Sequence, residues 1–198
     1  MNLQRIFCIG KNYADHVAEL APLGHLPDGD CVVFMKPASC VVPSGAPIRL
    51  PRGRGEVHHE AELVVRLGAG ARITHVTLGL DLTLRELQTR LKNKGAPWEL
   101  AKAFDHAAPL GDWREYRGED LQGLEFTCHV NGQLRQHGRT RDMLYPVARQ
   151  LEILSQTWDL GNGDAIFTGT PKGVGPLNPG DHVVLGSALT GRCEWRCE

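Results

Sequence analysis

The stretch 57-VHHEAELVVRL-67 decides how the chain is read. As one strand, Val57–Leu67 places Glu60, Glu62 and Val64 on one face and Ala61, Leu63 and Val65 on the other, because strand side chains alternate. The apolar neighbours point to a strand buried on at least one side. Two carboxylates two residues apart on such a face repel unless a cation lies between them, and burial sharpens the problem. A divalent ion resolves it, and an all-oxygen donor set selects Mg2+ or Mn2+ over zinc. Asp81, an acid among apolar residues in 78-LGLDL-82, is the candidate third ligand. The competing reading leaves Glu60 and Glu62 on a solvated strand face, as is common in antiparallel sheets, with Asp81 capping the helix that follows.

Working outward, Arg5–Gly10, Cys31–Lys36, Val76–Leu82, Ala165–Thr168, His182–Leu185 and Arg192–Cys197 read as short strands. Asn131-Gly132 between two extended runs in Glu125–Gln136 signals a hairpin. Helices are expected over Asn12–Leu20, over Thr83–Lys92 with a Thr83/Glu86 capping box, and over Arg141–Gln156, where Leu144, Val147, Leu151 and Leu154 keep helical register. A Pro- and Gly-rich loop follows the first helix through Asp30. No repeat or linker interrupts the chain, so residues 1–198 are expected to form one domain, with 1–30 its N-terminal strand and first-helix region. Strands dominate, without the regular alternation of a doubly wound sheet.

Composition narrows the function classes. The chain has 198 residues with 22 basic and 23 acidic side chains, a net charge of −1, so no basic footprint argues for nucleic acid. Aromatic residues are 6%, sparse for a stacking-based single-strand binder. Its 23 glycines and 12 prolines exceed the roughly 12% share of an average chain and favour many turns. No apolar run reaches the ~18 residues of a membrane span, and Met1–Arg5 lacks a signal-peptide layout; the expected compartment is the cytoplasm. The six cysteines show no paired spacing and read as small buried hydrophobes.

Several motifs are absent. In 168-TGTPKGVG-175, Lys172 precedes a glycine instead of following one, so there is no P-loop. Leu63 stands where a zinc-protease helix needs its second His, and no G-x-S-x-G elbow occurs. Two further groups can carry chemistry. Lys102, in the apolar setting 100-LAKAF-104, is either a surface lysine or, beside a metal–carboxylate site, a donor to a substrate carboxylate or enolate oxygen. His16 and Glu19 lie three apart on the first helix and can meet; a carboxylate-bonded imidazole suits a water-activating base, but spacing alone favours an ordinary surface pair.

Seven segments in order resemble the fumarylacetoacetate hydrolase family, in particular its small acylpyruvase/oxaloacetate decarboxylase branch: IGKNYADH (9–16), FMKP (34–37), HHEAEL (58–63), LDLTLRELQ (80–88), GAPWELAK (95–102), VNG (130–132) and TGTPKGVG (168–175). The resemblance implies a mixed, β-rich α+β fold of the β-roll type, a homodimer, and Mg2+ or Mn2+ held by Glu60, Glu62 and Asp81. It assigns Lys102 to the catalytic lysine, Lys36, Arg85, Gln88 and Thr170 to substrate-contacting positions, and His16 and Glu19 to a dyad on a lid helix. The implied activity is metal-dependent C–C bond hydrolysis or decarboxylation of small 2-oxo acids such as acylpyruvates and oxaloacetate, through a stabilised enolate. Two departures stand out: the interval from Glu62 to Asp81 is shorter than the family's, and Glu86 replaces its usual Asp. A dienoate isomerase or decarboxylase of aromatic catabolism, and a catalytically impaired dimeric relative with a displaced Asp81, are the alternatives.

Overall fold

The computed structural model describes residues 3–20 and 31–198; the loop expected after Leu20 through Asp30 lies outside them. The chain opens with β1 (Arg5–Gly10), α1 (Ala14–Leu20), β2 (Val32–Pro37) and β3 (Val41–Pro43). Next come β4 (Val57–His59), β5 (Ala61–Leu67), β6 (Ile73–Leu80) and β7 (Thr83–Leu84), then α2 (Arg85–Asn93) and α3 (Glu99–Lys102). The remainder is β8 (Ala108–Leu110), β9 (Arg114–Glu115), β10 (Glu125–Val130), β11 (Gln133–Arg139), α4 (Val147–Ser155), β12 (Asp164–Phe167), β13 (Gly175–Leu177), β14 (His182–Ser187) and β15 (Gly191–Arg196).

The largest sheet runs β2-β1-β12-β5-β6-β8-β3, with β9 added on β6. A four-stranded sheet β11-β10-β14-β15 packs over one face, and a small sheet β13-β4-β7 lies at the corner. Strand β5 is buried on both faces. Val64 joins Ile6, Leu78, Phe126 and Trp195 in the core between the larger sheets, while Leu63 and Val65 join Phe7, Ile166, Val147 and Leu154 beneath α4. The result is the expected strand-rich roll with four short helices among the described residues.

The expected strand over Val57–Leu67 is broken. It changes sheets at Glu60, β4 pairing with β13 and β7 and β5 with β12 and β6. Likewise β6 stops at Leu80, so Asp81 lies beyond the strand expected to run to Leu82. The two breaks face each other: Asp81 N–H donates to the Glu60 carbonyl at 2.8 Å. The short Glu62–Asp81 interval is absorbed at the far end of the hairpin, in a turn through Ala69–Ala71, and Ala61 still pairs with Leu80.

Two helix expectations are corrected. No helix spans Arg141–Gln156: a single turn at Thr140–Asp142 is followed by α4 from Val147. Pro146 accounts for this, since it disfavours helical geometry at Tyr145 and lacks an N–H, and Leu144 is left 52% exposed. Nor does Thr83 cap α2, whose N-cap is Leu84 with no side-chain bond. By contrast, the Asn131-Gly132 hairpin forms as read, with φ of 53° and 77°.

Gly79 pairs with Glu62 across the β5–β6 ladder, where β6 is pressed closely by its neighbours. A Cβ there would lie 2.9 Å from Leu110 Cδ2, Phe167 Cε1 and the Pro109 carbonyl. Gly79→Ala is therefore expected to destabilise the protein by about 1–3 kcal/mol in urea unfolding; an unchanged midpoint contradicts this packing.

Candidate metal centre

The paired breaks turn three acids into one gap. Glu60, Glu62 and Asp81 are 4%, 2% and 2% exposed, and one carboxylate oxygen from each lies within 4.8 Å of the others. Solvated acids on a strand face are thereby excluded, as is the register shift that would have turned Asp81 away.

Three cations enter from other elements. Lys102, at the end of α3, donates to Glu60 Oε2 at 2.8 Å, Asp81 Oδ2 at 2.6 Å and Thr83 Oγ1 at 2.6 Å. Lys36, from β2, is fully buried; its Nζ lies 2.8 Å from Asp81 Oδ1 and donates to the Leu82 and Lys102 carbonyls. Arg85, opening α2, bonds Glu60 Oε1 and donates to Gln88 Oε1 at 2.8 Å. The cations gather on Glu60 and Asp81. Although burial pushes the other way, Lys102 and Arg85 hold the Glu60 carboxyl well below its ordinary range. Glu62 has no such ion pair among the described residues: burial first, then Asp81 and Glu60, push its carboxyl well above that range. Its carboxylate accepts from the Gly169 N–H at 2.6 Å. That approach needs glycine, because Gly169 has φ of 103° and a Cβ would lie 2.5 Å from Asn12 Cβ.

This donor set fits a divalent cation. Asp81 Oδ1 is buried and makes no aligned hydrogen bond, even with Lys36 Nζ nearby, and the like charge that disfavours ionised Glu62 is what a cation between the acids would offset. Three carboxylates are a hard set, suited to Mg2+ or Mn2+.

The remaining expected residues are placed as follows. Helix α1 lies against the 168–175 loop. His16 is 5% exposed, its Nδ1 is 3.2 Å from Glu19 Oε2, and Gly173 N–H donates to Glu19 Oε1 at 2.9 Å. Gln88 is buried beside Arg85. Thr170 lines the same loop, but its hydroxyl is engaged, donating to the Ala61 carbonyl at 2.9 Å and accepting from Gln136 Nε2 at 2.8 Å.

Sequence reading missed Gln136, 1% exposed on β11. Its Oε1 accepts from Ala61 N–H and faces His59 Nδ1, both at 3.0 Å, while its Nε2 also donates to the Pro171 carbonyl. One side chain thus joins the strand carrying Glu62 to the loop carrying Thr170. Nothing in 133-QLRQHGR-139 signals this. Thr83, read as a cap, instead accepts from Lys102.

The family model described as fumarylacetoacetate hydrolase C-terminal matches residues 5–197. The chain belongs to the fumarylacetoacetate hydrolase family. Within that family it is 37% identical to oxaloacetate tautomerase YcgM of Escherichia coli K12, over 96% of this chain and 92% of the relative. The crystal structure of a putative fumarylacetoacetate isomerase/hydrolase from Oleispira antarctica superposes with a TM-score of 0.92 at 37% identity, over 99% and 94% of the two chains. That of fumarylpyruvate hydrolase from Pseudomonas aeruginosa in complex with Mn2+ and pyruvate does so with a TM-score of 0.88 at 32% identity, over 98% and 89%.

Because Glu62 is held among like charges, Glu62→Gln should stabilise the metal-free protein while weakening any cation site. Its melting temperature is expected to rise by about 2–4 °C, the equivalent of ~1 kcal/mol at this size, and the further rise that Mn2+ gives the unaltered protein should vanish. A lower metal-free melting temperature with an intact Mn2+ response would contradict this electrostatic account.

Proposed function

We propose that this protein is a divalent-metal-dependent enzyme of small 2-oxo acids, hydrolysing or decarboxylating a C–C bond next to a carbonyl through an enolate. The observation that carries this reading is the meeting of three buried carboxylates on the gap between β4, β5 and β6. A divalent cation held by Glu60, Glu62 and Asp81 would supply Lewis-acid stabilisation of negative charge developing on the 2-oxo oxygen. The chain's own residues do the rest. Lys102 presents an ammonium beside the triad, where it can donate to the developing oxyanion in a site that excludes most water. Arg85, positioned by Gln88, and Lys36 keep the cavity cationic enough to accept an acid anion. Lys36 also fixes the end of α3 through the Lys102 carbonyl, which positions the catalytic lysine. In hydrolysis, Glu19 orients the His16 ring, and His16 takes a proton from water attacking the distal acyl carbonyl. Thr170 and Gln136 hold the loop against β5, so its contribution is carried by backbone placement. The similarity to an oxaloacetate tautomerase favours a second reading, keto–enol interconversion of oxaloacetate, which uses the same stabilised enolate and the same residues.

The test is a panel of acetylpyruvate, fumarylpyruvate, oxaloacetate and a homoprotocatechuate-derived dienoate, assayed with Mn2+ and with chelator. Turnover of at least one 2-oxo acid that disappears on chelation is expected; turnover indifferent to chelator, or none with Mn2+, contradicts the reading. The dyad gives a sharper separation. His16→Ala is expected to lower acylpyruvate hydrolysis by about 10²-fold or more while leaving oxaloacetate decarboxylation largely intact. Equal loss of both would show that His16 does not serve as the water activator.

A further inference from the structure

The loop 168–175 serves two acids of the site at once. Its Gly169 N–H donates to Glu62 Oε2 at 2.6 Å and its Gly173 N–H to Glu19 Oε1 at 2.9 Å. Where the loop sits therefore decides where both carboxylates are held. It lies close on β11: Gly173 has φ of 95°, and a Cβ there would overlap the Arg135 carbonyl. One residue reaches the loop from two directions. His59, 1% exposed, ends β4 and pairs through its backbone with Gly175, where the loop closes. Its Nδ1 lies 3.0 Å from Gln136 Oε1, and the amide nitrogen of Gln136 holds Thr170 and Pro171 near the loop's start. The ring has no part in the steps described above.

Donor chemistry fixes how these groups face one another. A backbone N–H only donates, so the Gln136 atom that meets Ala61 N–H at 3.0 Å is the amide oxygen. A carbonyl only accepts, so the atom that meets the Pro171 carbonyl at 2.9 Å is the amide nitrogen. The orientation of Gln136 is thus set twice. Its oxygen is an acceptor, and His59 Nδ1 must carry a proton to bond it. Without that proton two lone pairs would oppose each other between side chains each 1% exposed, which carries the desolvation cost of a buried polar group left unpaired. Cys128 Sγ, also near Nδ1 at 4.0 Å, is only a weak donor and acceptor. From Gln136 the chain of donors continues to the Thr170 hydroxyl at 2.8 Å and from there to the Ala61 carbonyl at 2.9 Å. It closes on the residue that stands between Glu60 and Glu62.

We propose that His59 is a positioning residue of this site: with its proton on Nδ1 it locks the Gln136 amide, and through Gln136 it sets the 168–175 loop whose Gly169 N–H holds Glu62 toward the other two acids. The proposal rests on the divalent-metal reading above and deepens it by naming a side chain that tunes the site from outside the donor set. Outer partners of this kind orient the ligating side chains, and their loss commonly weakens metal binding by roughly 10–100-fold. The role belongs to one donor at one place, so an asparagine, whose amide N–H can stand in for Nδ1–H, should preserve it and a leucine should not.

Two measurements test this without turnover. Nitrogen NMR of the isotope-labelled, unaltered protein is expected to show a hydrogen bonded directly to His59 Nδ1; a bare Nδ1 overturns the proposal, and this measurement depends on no variant folding. Mn2+ affinity of the full chain is then compared by calorimetry for the unaltered protein, His59→Leu, His59→Asn, Gln136→Met and the double variant His59→Leu with Gln136→Met, with melting curves to confirm folding. His59→Leu and Gln136→Met are each expected to weaken Mn2+ binding about tenfold or more. The double variant should bind no more weakly than Gln136→Met alone, since residues acting in one network are not additive, and His59→Asn should keep most of the affinity. A lower melting temperature with unchanged Mn2+ affinity, losses that add in the double variant, or an asparagine no better than leucine overturns the positioning role alone. If the unaltered protein binds no Mn2+, the metal reading itself falls and the role with it.

Discussion

Six ionisable side chains, Glu60, Glu62, Asp81, Lys36, Arg85 and Lys102, are packed where three strands part, each at most 5% exposed. Charges so desolvated persist only when they satisfy one another, and most of the local architecture serves that need. The chain changes sheets at Glu60, leaves β6 at Asp81, and begins α2 and ends α3 so that their cations reach inward. Equal numbers of acids and cations do not produce even pairing, because the lysines and the arginine converge on Glu60 and Asp81. Among the described residues Glu62 makes no ion pair; it accepts from the Gly169 N–H and faces its like-charged neighbours. That imbalance is what gives the gap an appetite for positive charge.

Keeping such a site open requires neutral bracing from outside it. Gln136 does this from the second sheet, with its amide bonded to β5, the Thr170 hydroxyl and the Pro171 carbonyl. Asn12 does it from the β1–α1 connection. Its Nδ2 donates to the Tyr145 and Thr168 carbonyls and its Oδ1 accepts from Tyr145 N–H. Both amides use donors and acceptors on segments far apart in sequence, so the Gly169 turn, the start of α1 and the acidic strand are held in one frame. The His16–Glu19 pair on α1 is tied to the 168–175 loop through the Gly173 N–H, which donates to Glu19.

The acids were legible in the sequence because each stands against apolar neighbours, an arrangement that demands a partner. Lys102 and the His16–Glu19 pair stood out through the family resemblance, since a single lysine or a helical His/Glu pair reads first as surface. The breaks at Glu60 and Asp81 were not, since nothing in VHHEAELVVRL signals that a strand changes sheets; that depends on which strands arrive from elsewhere. Thr83 looked like a cap because an isolated Thr-x-x-Glu reads that way, whereas tertiary contact gave its oxygen to Lys102. Gln136 was hidden in a run of polar strand residues.

The central claim is that one hard cation bridges acids from two neighbouring breaks. Anomalous diffraction from crystals grown with Mn2+, collected at the manganese edge, addresses it directly. The account predicts a single strong peak bonded to a carboxylate oxygen from each of Glu60, Glu62 and Asp81, with Lys102 Nζ displaced from the acids. No peak there, or a peak elsewhere while Asp81 keeps both lysine contacts, would contradict it.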